Sequence, residues 1–171
     1  PGGTGKESAP TAPGASRAQP DFAASLEQLV NELGSEASPP PSEGDPQAHY
    51  ELGIAFREMG LVDEAIGELQ KAVRRSRPGA DRERFLSVCS LLAICFGEKQ
   101  MPALAAKWYT RALKVPGLDP DAILALQYDL GVAYELAGNL EAARESFLEV
   151  YAQNIEYRDV AARIRQLAAS R

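Results

Sequence analysis

Histidine and cysteine, which often bind transition metals, are scarce in this chain. It has one histidine, His49, and two cysteines, Cys89 and Cys95, among 171 residues. A histidine-rich metal site is therefore excluded. The two cysteines lie six residues apart on one predicted helix, so their side chains diverge and a disulfide between them is not expected. We expect no cofactor, and free thiols favour a reducing compartment, so we expect a cytoplasmic location.

The chain also lacks a field of positive charge and an apolar run of membrane-spanning length. Residues 46–171 carry 17 acidic and 16 basic side chains. We therefore expect no nucleic-acid binding through phosphate neutralisation. The longest apolar run, Phe85–Phe96, is interrupted by serine and is too short to span a bilayer. No acid and base residues form a recognisable catalytic arrangement, so we expect a protein that is not an enzyme.

Proline and acidic residues are concentrated in the first 45 residues. This part holds seven of the twelve prolines and has a net charge of −5. Residues 1–20, rich in Gly, Pro, Ala and Ser, are predicted to be disordered or a linker, and residues 35–45 are predicted to form a second, Pro/Ser-rich linker. The chain begins with proline rather than methionine, so we expect it to be a fragment of a longer protein.

Between these linkers, residues 21–34 have the pattern of one amphipathic helix. Its apolar residues recur at i, i+4, i+7, i+8 and i+11, which places them on one face. They are Phe22, Leu26, Leu29, Val30 and Leu33. A single helix of this length is marginally stable in water, so it needs a surface to pack against. Three placements remain open: against the first repeat described below, in a groove of the same or a neighbouring molecule, or on another partner.

The rest of the chain contains one pattern three times. The copies span Leu52–Ala65, Leu92–Ala105 and Leu130–Ala143. Each begins with leucine, a small residue, a variable residue, a small residue and an aromatic residue. The outer copies agree residue for residue in spacing, whereas the middle copy has Gln100 where they have a second glycine. Self-similarity at a fixed spacing indicates a repeat protein.

The pattern resembles the tetratricopeptide repeat, a helix–turn–helix unit of 34 residues. This resemblance implies an all-α fold, an α–α superhelix in which repeats stack into a solenoid. We place three repeats at about 46–79, 82–117 and 120–155, followed by a capping helix at 157–169. The predicted helices are 46–59, 62–76, 82–97, 101–114, 120–136, 140–153 and 157–169.

Helix caps and small residues support these boundaries. Asp45 and Asp119 each precede a proline, so each offers an N-cap carboxylate before a proline at the first helical position. Gly53 and Ala65 are predicted to lie where the two helices of the first repeat touch, because larger side chains would separate them. On the capping helix an apolar stripe is predicted to pack inwards, formed by Val160, Ile164 and Leu167.

In this family the first helix of each repeat lines the concave side, so the resemblance implies a groove. A second, largely apolar stripe on these helices is predicted to line it. One subfamily grips a peptide carboxylate there with Lys, Asn and Arg. This chain has Tyr50, Ile54 and Leu91 at such places, and Asp129 at another, which argues against a carboxylate clamp. The predicted groove residues are Gln47, Tyr50, Ile54, Arg57, Ser90, Leu91, Ile94, Tyr128, Val132 and Glu135.

We therefore expect a non-catalytic protein–protein interaction module, a scaffold or adaptor whose groove binds an apolar helical or extended peptide from a protein partner. Two alternatives remain open. In one, residues 21–34 occupy the groove in cis or in trans, and the module serves self-assembly or autoinhibition. In the other, the chain is the non-catalytic arm of a larger enzyme or of a secretion or assembly machine.

Overall fold

In the computed structural model, seven α-helices follow one another through the described part of the chain. The structure describes residues 44–76, 79 and 81–169, so the predicted helix at residues 21–34 lies outside the described residues. These helices belong to the unit Pro41–Arg171. The helices are α1 (Pro46–Glu58), α2 (Val62–Arg75), α3 (Arg82–Glu98), α4 (Pro102–Leu113), α5 (Pro120–Leu136), α6 (Leu140–Gln153) and α7 (Val160–Ala169).

The helices pack as a linear stack of pairs. The closest packing is within three successive pairs, α1 with α2, α3 with α4, and α5 with α6. Neighbouring pairs then meet through α2 with α3 and α4 with α5, and α7 packs on α6. Each pair touches the adjacent pairs only, which is the arrangement of a helical solenoid. The predicted all-α repeat fold is confirmed.

Helix starts follow the predicted capping signals. The carboxylate of Asp45 accepts a hydrogen bond from the amide of Gln47 at 3.0 Å. The carboxylate of Asp119 accepts one from the amide of Ala122 at 2.8 Å. The capping helix α7 starts at Val160, three residues later than expected. Arg158 has a left-handed backbone with φ of 46°, which a continuing right-handed helix cannot contain.

The turn within each repeat has the same backbone geometry in all three copies. Its central residue is left-handed, with φ of 77° at Gly60, 57° at Gln100 and 76° at Gly138. The next residue donates its amide hydrogen to a carbonyl five residues earlier, at 2.9 Å each time; the pairs are Leu61–Phe56, Met101–Phe96 and Asn139–Tyr134. The middle copy, the weakest in sequence, therefore keeps the repeat geometry with a glutamine in a conformation that suits glycine.

Glycines mark the close approach of the two helices in the outer repeats. A Cβ atom at Gly53 would lie 2.6 Å from Leu69 Cγ and 3.5 Å from the Ala65 carbonyl oxygen. A Cβ at Gly131 would lie 2.7 Å from Phe147 Cε1. The distances to Leu69 and to Phe147 are shorter than real Cβ atoms tolerate, so a larger residue at either glycine would force the helices apart. The predicted contact at Gly53 and Ala65 is confirmed.

Helix α7 closes the carboxyl-terminal end of the described stack. Its Val160 and Leu167 are buried, and Ile164 is half-buried beside them. They pack in one apolar cluster with Phe147 and Val150 of α6. The predicted apolar stripe of the capping helix therefore faces inwards.

Candidate functional site

Two adjoining cavities lie between α3, α4 and α5. Their volumes are about 220 Å³ and about 250 Å³. Ile94 of α3, Tyr109 of α4 and Asp129 of α5 line both cavities, so the two form one continuous groove. We call it the α3–α5 groove. The other lining residues are apolar or small, with Ser90 the exception.

Large apolar side chains are exposed at this groove. Ile94 is 39% exposed and Leu136, the last residue of α5, is 71% exposed. Val132, one turn before Leu136, is half-buried and lines the same cavity of about 220 Å³. Clustered apolar side chains of this kind mark interaction sites more often than isolated ones do.

Asp129 is the one ionisable carboxylate among the residues that line the groove. Its Oδ1 accepts a hydrogen bond from Nη1 of Arg158 at 3.1 Å. Burial raises the pKa of Asp129, and the Arg158 guanidinium opposes this rise. Arg158 itself lies over two aromatic rings, 4.7 Å from the ring centre of Tyr128 and 5.3 Å from that of Tyr157. The groove thus contains a partly desolvated negative charge between apolar walls.

Tyr109 brings a hydroxyl group to the same place. It is 9% exposed, and its hydroxyl has no hydrogen-bond partner among the residues that the structure describes. Burial raises its pKa to about 12, and the neighbouring Asp129 charge adds to the rise. The equivalent positions in the other repeats are Leu69 and Phe147, which are fully buried. Packing at this position is therefore possible without a hydroxyl group.

Three of the ten predicted groove residues line the α3–α5 groove. They are Ser90, Ile94 and Val132. Leu91, next to Ser90, is half-buried and packs against the core instead. The first helices of the second and third repeats therefore both contribute side chains to this groove.

The four predicted residues of α1 lie outside the α3–α5 groove; they are Gln47, Tyr50, Ile54 and Arg57. Two of them join α1 to α3. Nε of Arg84 donates a hydrogen bond to Oε1 of Gln47 at 2.8 Å. Arg57 forms an ion pair with Glu98 at 2.5 Å. These polar bridges connect the first two repeats.

Tyr128 and Glu135 face the capping helix instead of the groove. Tyr128 is 6% exposed, and its hydroxyl donates to Asp159 and accepts from Nε of Arg163 at 3.1 Å. Glu135 forms an ion pair with the same Arg163 at 2.6 Å. Because α7 and the preceding loop cover this side of α5, Tyr128 lies in the core and is not available to a ligand. This corrects its predicted place on the groove floor.

Tyr109, Asp129 and Leu136 also line the groove, although the list of predicted groove residues did not include them. Tyr109 lies on the second helix of its repeat, whereas the prediction considered the first helices. A tyrosine where the other copies have leucine and phenylalanine was the available signal. Asp129 is the next residue after Tyr128 in the sequence. Asp129 lines the groove, whereas α7 and the preceding loop cover Tyr128.

Within the described part of the chain, no group of three or more potential metal-binding side chains occurs. None of the described helices combines the length and apolar character needed to cross a membrane.

Comparison with known proteins agrees with the repeat architecture. Residues 15–81 match the family model described as tetratricopeptide repeat. The match begins ahead of α1 and so includes residues 21–34, the predicted amphipathic helix. Among curated proteins, none matches the chain.

Solved structures that are similar to this chain include tetratricopeptide-repeat domains. The Arabidopsis OM64 domain has 15% identity, a TM-score of 0.57 and coverage of 74% of this chain and 96% of its own. The second such domain of human RPAP3, solved in complex with the HSP70 peptide SGPTIEEVD, has 17% identity, a TM-score of 0.56 and coverage of 72% and 98%. A domain of a Plasmodium falciparum FK506-binding protein has 19% identity, a TM-score of 0.58 and coverage of 74% and 87%.

Proposed function

Because this chain is a tetratricopeptide-repeat protein, we propose that its α3–α5 groove binds an apolar helical or extended segment of a protein partner. Such domains generally mediate protein–protein interactions, and their folds are typically non-catalytic. The observation that carries the proposal is the groove itself, with apolar walls and exposed Ile94 and Leu136. Burying a large aliphatic side chain is worth about 1.5–3 kcal/mol.

A peptide ligand is also consistent with the RPAP3 domain, which was solved with a bound peptide. That peptide, SGPTIEEVD, has three acidic side chains among its last four residues. Asp129, the only carboxylate among the described residues that line the α3–α5 groove, is acidic as well. Like charges at close range repel, so we do not propose an acidic segment of this kind as the ligand here.

The experiment uses peptides of about 15 residues, long enough for an isolated helix to form marginally. A random library displayed on phage is selected against the immobilised chain, and selected peptides are measured by fluorescence anisotropy. Leu136→Ser removes an exposed groove side chain, whereas Ile155→Ser removes one of comparable exposure in the loop before α7; the side chains are 71% and 61% exposed. Neither change opens the core, so both variants should fold.

We expect Leu136→Ser to weaken binding of the selected peptides about tenfold, which corresponds to the loss of one apolar contact. Ile155→Ser should leave the affinity unchanged. Equal effects of the two substitutions, or a selection that yields no binding peptide, would contradict the proposed groove.

A further inference from the structure

We propose that the α3–α5 groove selects a cationic side chain, a lysine or arginine flanked by apolar residues, in the segment it binds. Asp129 is the counter-ion, and the Tyr109 hydroxyl is a second hydrogen-bonding group. This inference rests on the proposed function and specifies the chemistry of the partner.

The carboxylate of Asp129 retains capacity for a ligand. An ionised carboxylate can accept about four hydrogen bonds. Among the described residues Asp129 accepts one, from Arg158 to Oδ1 at 3.1 Å. The Arg158 side chain is 51% exposed, and a solvent-exposed pair of this kind is weak. Nearby Glu135 is paired internally with Arg163, so it does not compete for a ligand.

Tyr109 provides an independent observation at the same point. Its side chain is more than nine-tenths buried and lines both cavities beside Asp129. Its hydroxyl is unpaired within the described part of the chain. No fully buried side-chain polar atom of the described residues lacks a partner, so this hydroxyl reaches the open space of the groove. A ligand ammonium or guanidinium can donate a hydrogen bond to it there. The walls around these two polar groups are apolar, so they accept the flanking residues and the aliphatic stem of lysine or arginine.

The same charge argument applies to residues 21–34, the internal candidate for the groove. This segment contains Asp21, Glu27 and Glu32 and has neither lysine nor arginine. Its apolar face suits a groove, but its charge has the same sign as Asp129. A segment from a protein partner with a cation among its apolar residues is therefore the better occupant.

The test uses three synthetic amphipathic peptides of about 15 residues, built from Leu, Ala and Gln. They are identical except at one central position on the apolar face, which is lysine, norleucine or glutamate. Norleucine keeps the aliphatic stem and removes the charge. Affinities for the full chain are measured by fluorescence anisotropy, with the synthetic peptide of residues 21–34 as a fourth probe.

We expect the lysine peptide to bind about tenfold more tightly than the norleucine peptide, because one charge-assisted hydrogen bond is lost. The glutamate peptide and the peptide of residues 21–34 should bind more weakly still. Asp129→Asn should abolish the preference for lysine while the norleucine peptide binds as before, and Tyr109→Phe should reduce the preference. Asp121→Asn, an exposed carboxylate on the same helix, is the matched control and should change nothing.

The outcomes separate this inference from the function on which it rests. Equal binding of the lysine and norleucine peptides would overturn the cation selectivity and leave an apolar groove. A lysine preference that survives Asp129→Asn would also overturn it. Binding of residues 21–34 as tight as that of the lysine peptide would favour an internal occupant instead. If none of the four peptides binds, the proposed function itself fails.

Discussion

Replacing Gln100 by glycine should stabilise the protein. Gln100 is the central residue of the turn in the second repeat, with φ of 57°. The equivalent residues, Gly60 and Gly138, have φ of 77° and 76°. Its side chain is exposed, and the structure gives it no hydrogen bond within the described residues. The substitution therefore relieves backbone strain and removes no contact.

The size of the effect follows from two opposing contributions. A non-glycine residue in the left-handed conformation costs about 1–2 kcal/mol. Glycine loses more chain entropy on folding, by roughly 0.5–1 kcal/mol. The free energy of unfolding of Gln100→Gly should therefore rise by about 0.5–1 kcal/mol. For a chain of this length the melting temperature should rise by roughly 2 °C.

Urea unfolding followed by circular dichroism measures this difference directly. Gly60→Gln and Gly138→Gln are the matched variants, since a Cβ atom at either position would meet no atom within 4 Å. Each should lower the free energy of unfolding by about 0.5–1 kcal/mol, because the same two backbone contributions then act in the opposite direction. Destabilisation by Gln100→Gly, or no effect of either reverse substitution, would refute the energetic equivalence of the three turns.

Two further predictions concern helix packing and the capping helix. Gly131→Ala should destabilise the protein by about 1–3 kcal/mol, because buried Phe147 occupies the place of the new methyl group. Gly67→Ala should stabilise it by about 0.5–1 kcal/mol, since nothing lies within 4 Å of the new Cβ position on this helix. Urea unfolding shows whether each substitution raises or lowers the free energy of unfolding. Tyr128 donates a hydrogen bond to the Asp159 carboxylate, and this bond, together with Arg163, lowers the pKa of Asp159. The stability that the bond contributes to the fold is therefore present above the usual pKa of aspartate, and it is lost as pH falls through the lowered pKa. Tyr128→Phe should therefore lower the melting temperature at neutral pH and flatten its decline in acid, and an unchanged acid profile would contradict this coupling.

Much of the fold could be predicted because its signals are local. A cap carboxylate followed by proline marks a helix start within four residues of sequence, as at Asp45 and Asp119. The left-handed turn and the close helix contact at Gly53 recur at fixed spacing and identify the repeat register. The start of α7 was misplaced because Arg158 is a non-glycine residue in a left-handed conformation, which sequence propensities do not indicate.

The groove depends on packing between repeats, which the sequence pattern does not specify. Tyr128 and Val132 lie one turn apart on α5, and both belong to the predicted stripe. Val132 lines the groove, whereas Tyr128 is covered by Tyr157, Arg158 and the start of α7. The choice between these surroundings depends on how the superhelix turns from α5 to the capping helix. Periodicity within one helix does not contain that information.

The central claim is that the α3–α5 groove is the binding surface, and methyl NMR locates binding most directly. The probe is the lysine-containing amphipathic peptide, titrated into the chain with labelled Ile, Leu and Val methyl groups. We predict the largest shift changes at Ile94, Val132 and Leu136, with Ile155 and Leu148 unchanged. Shift changes confined to Ile155 and Leu148, or to methyl groups of α1, would contradict the assignment of the groove.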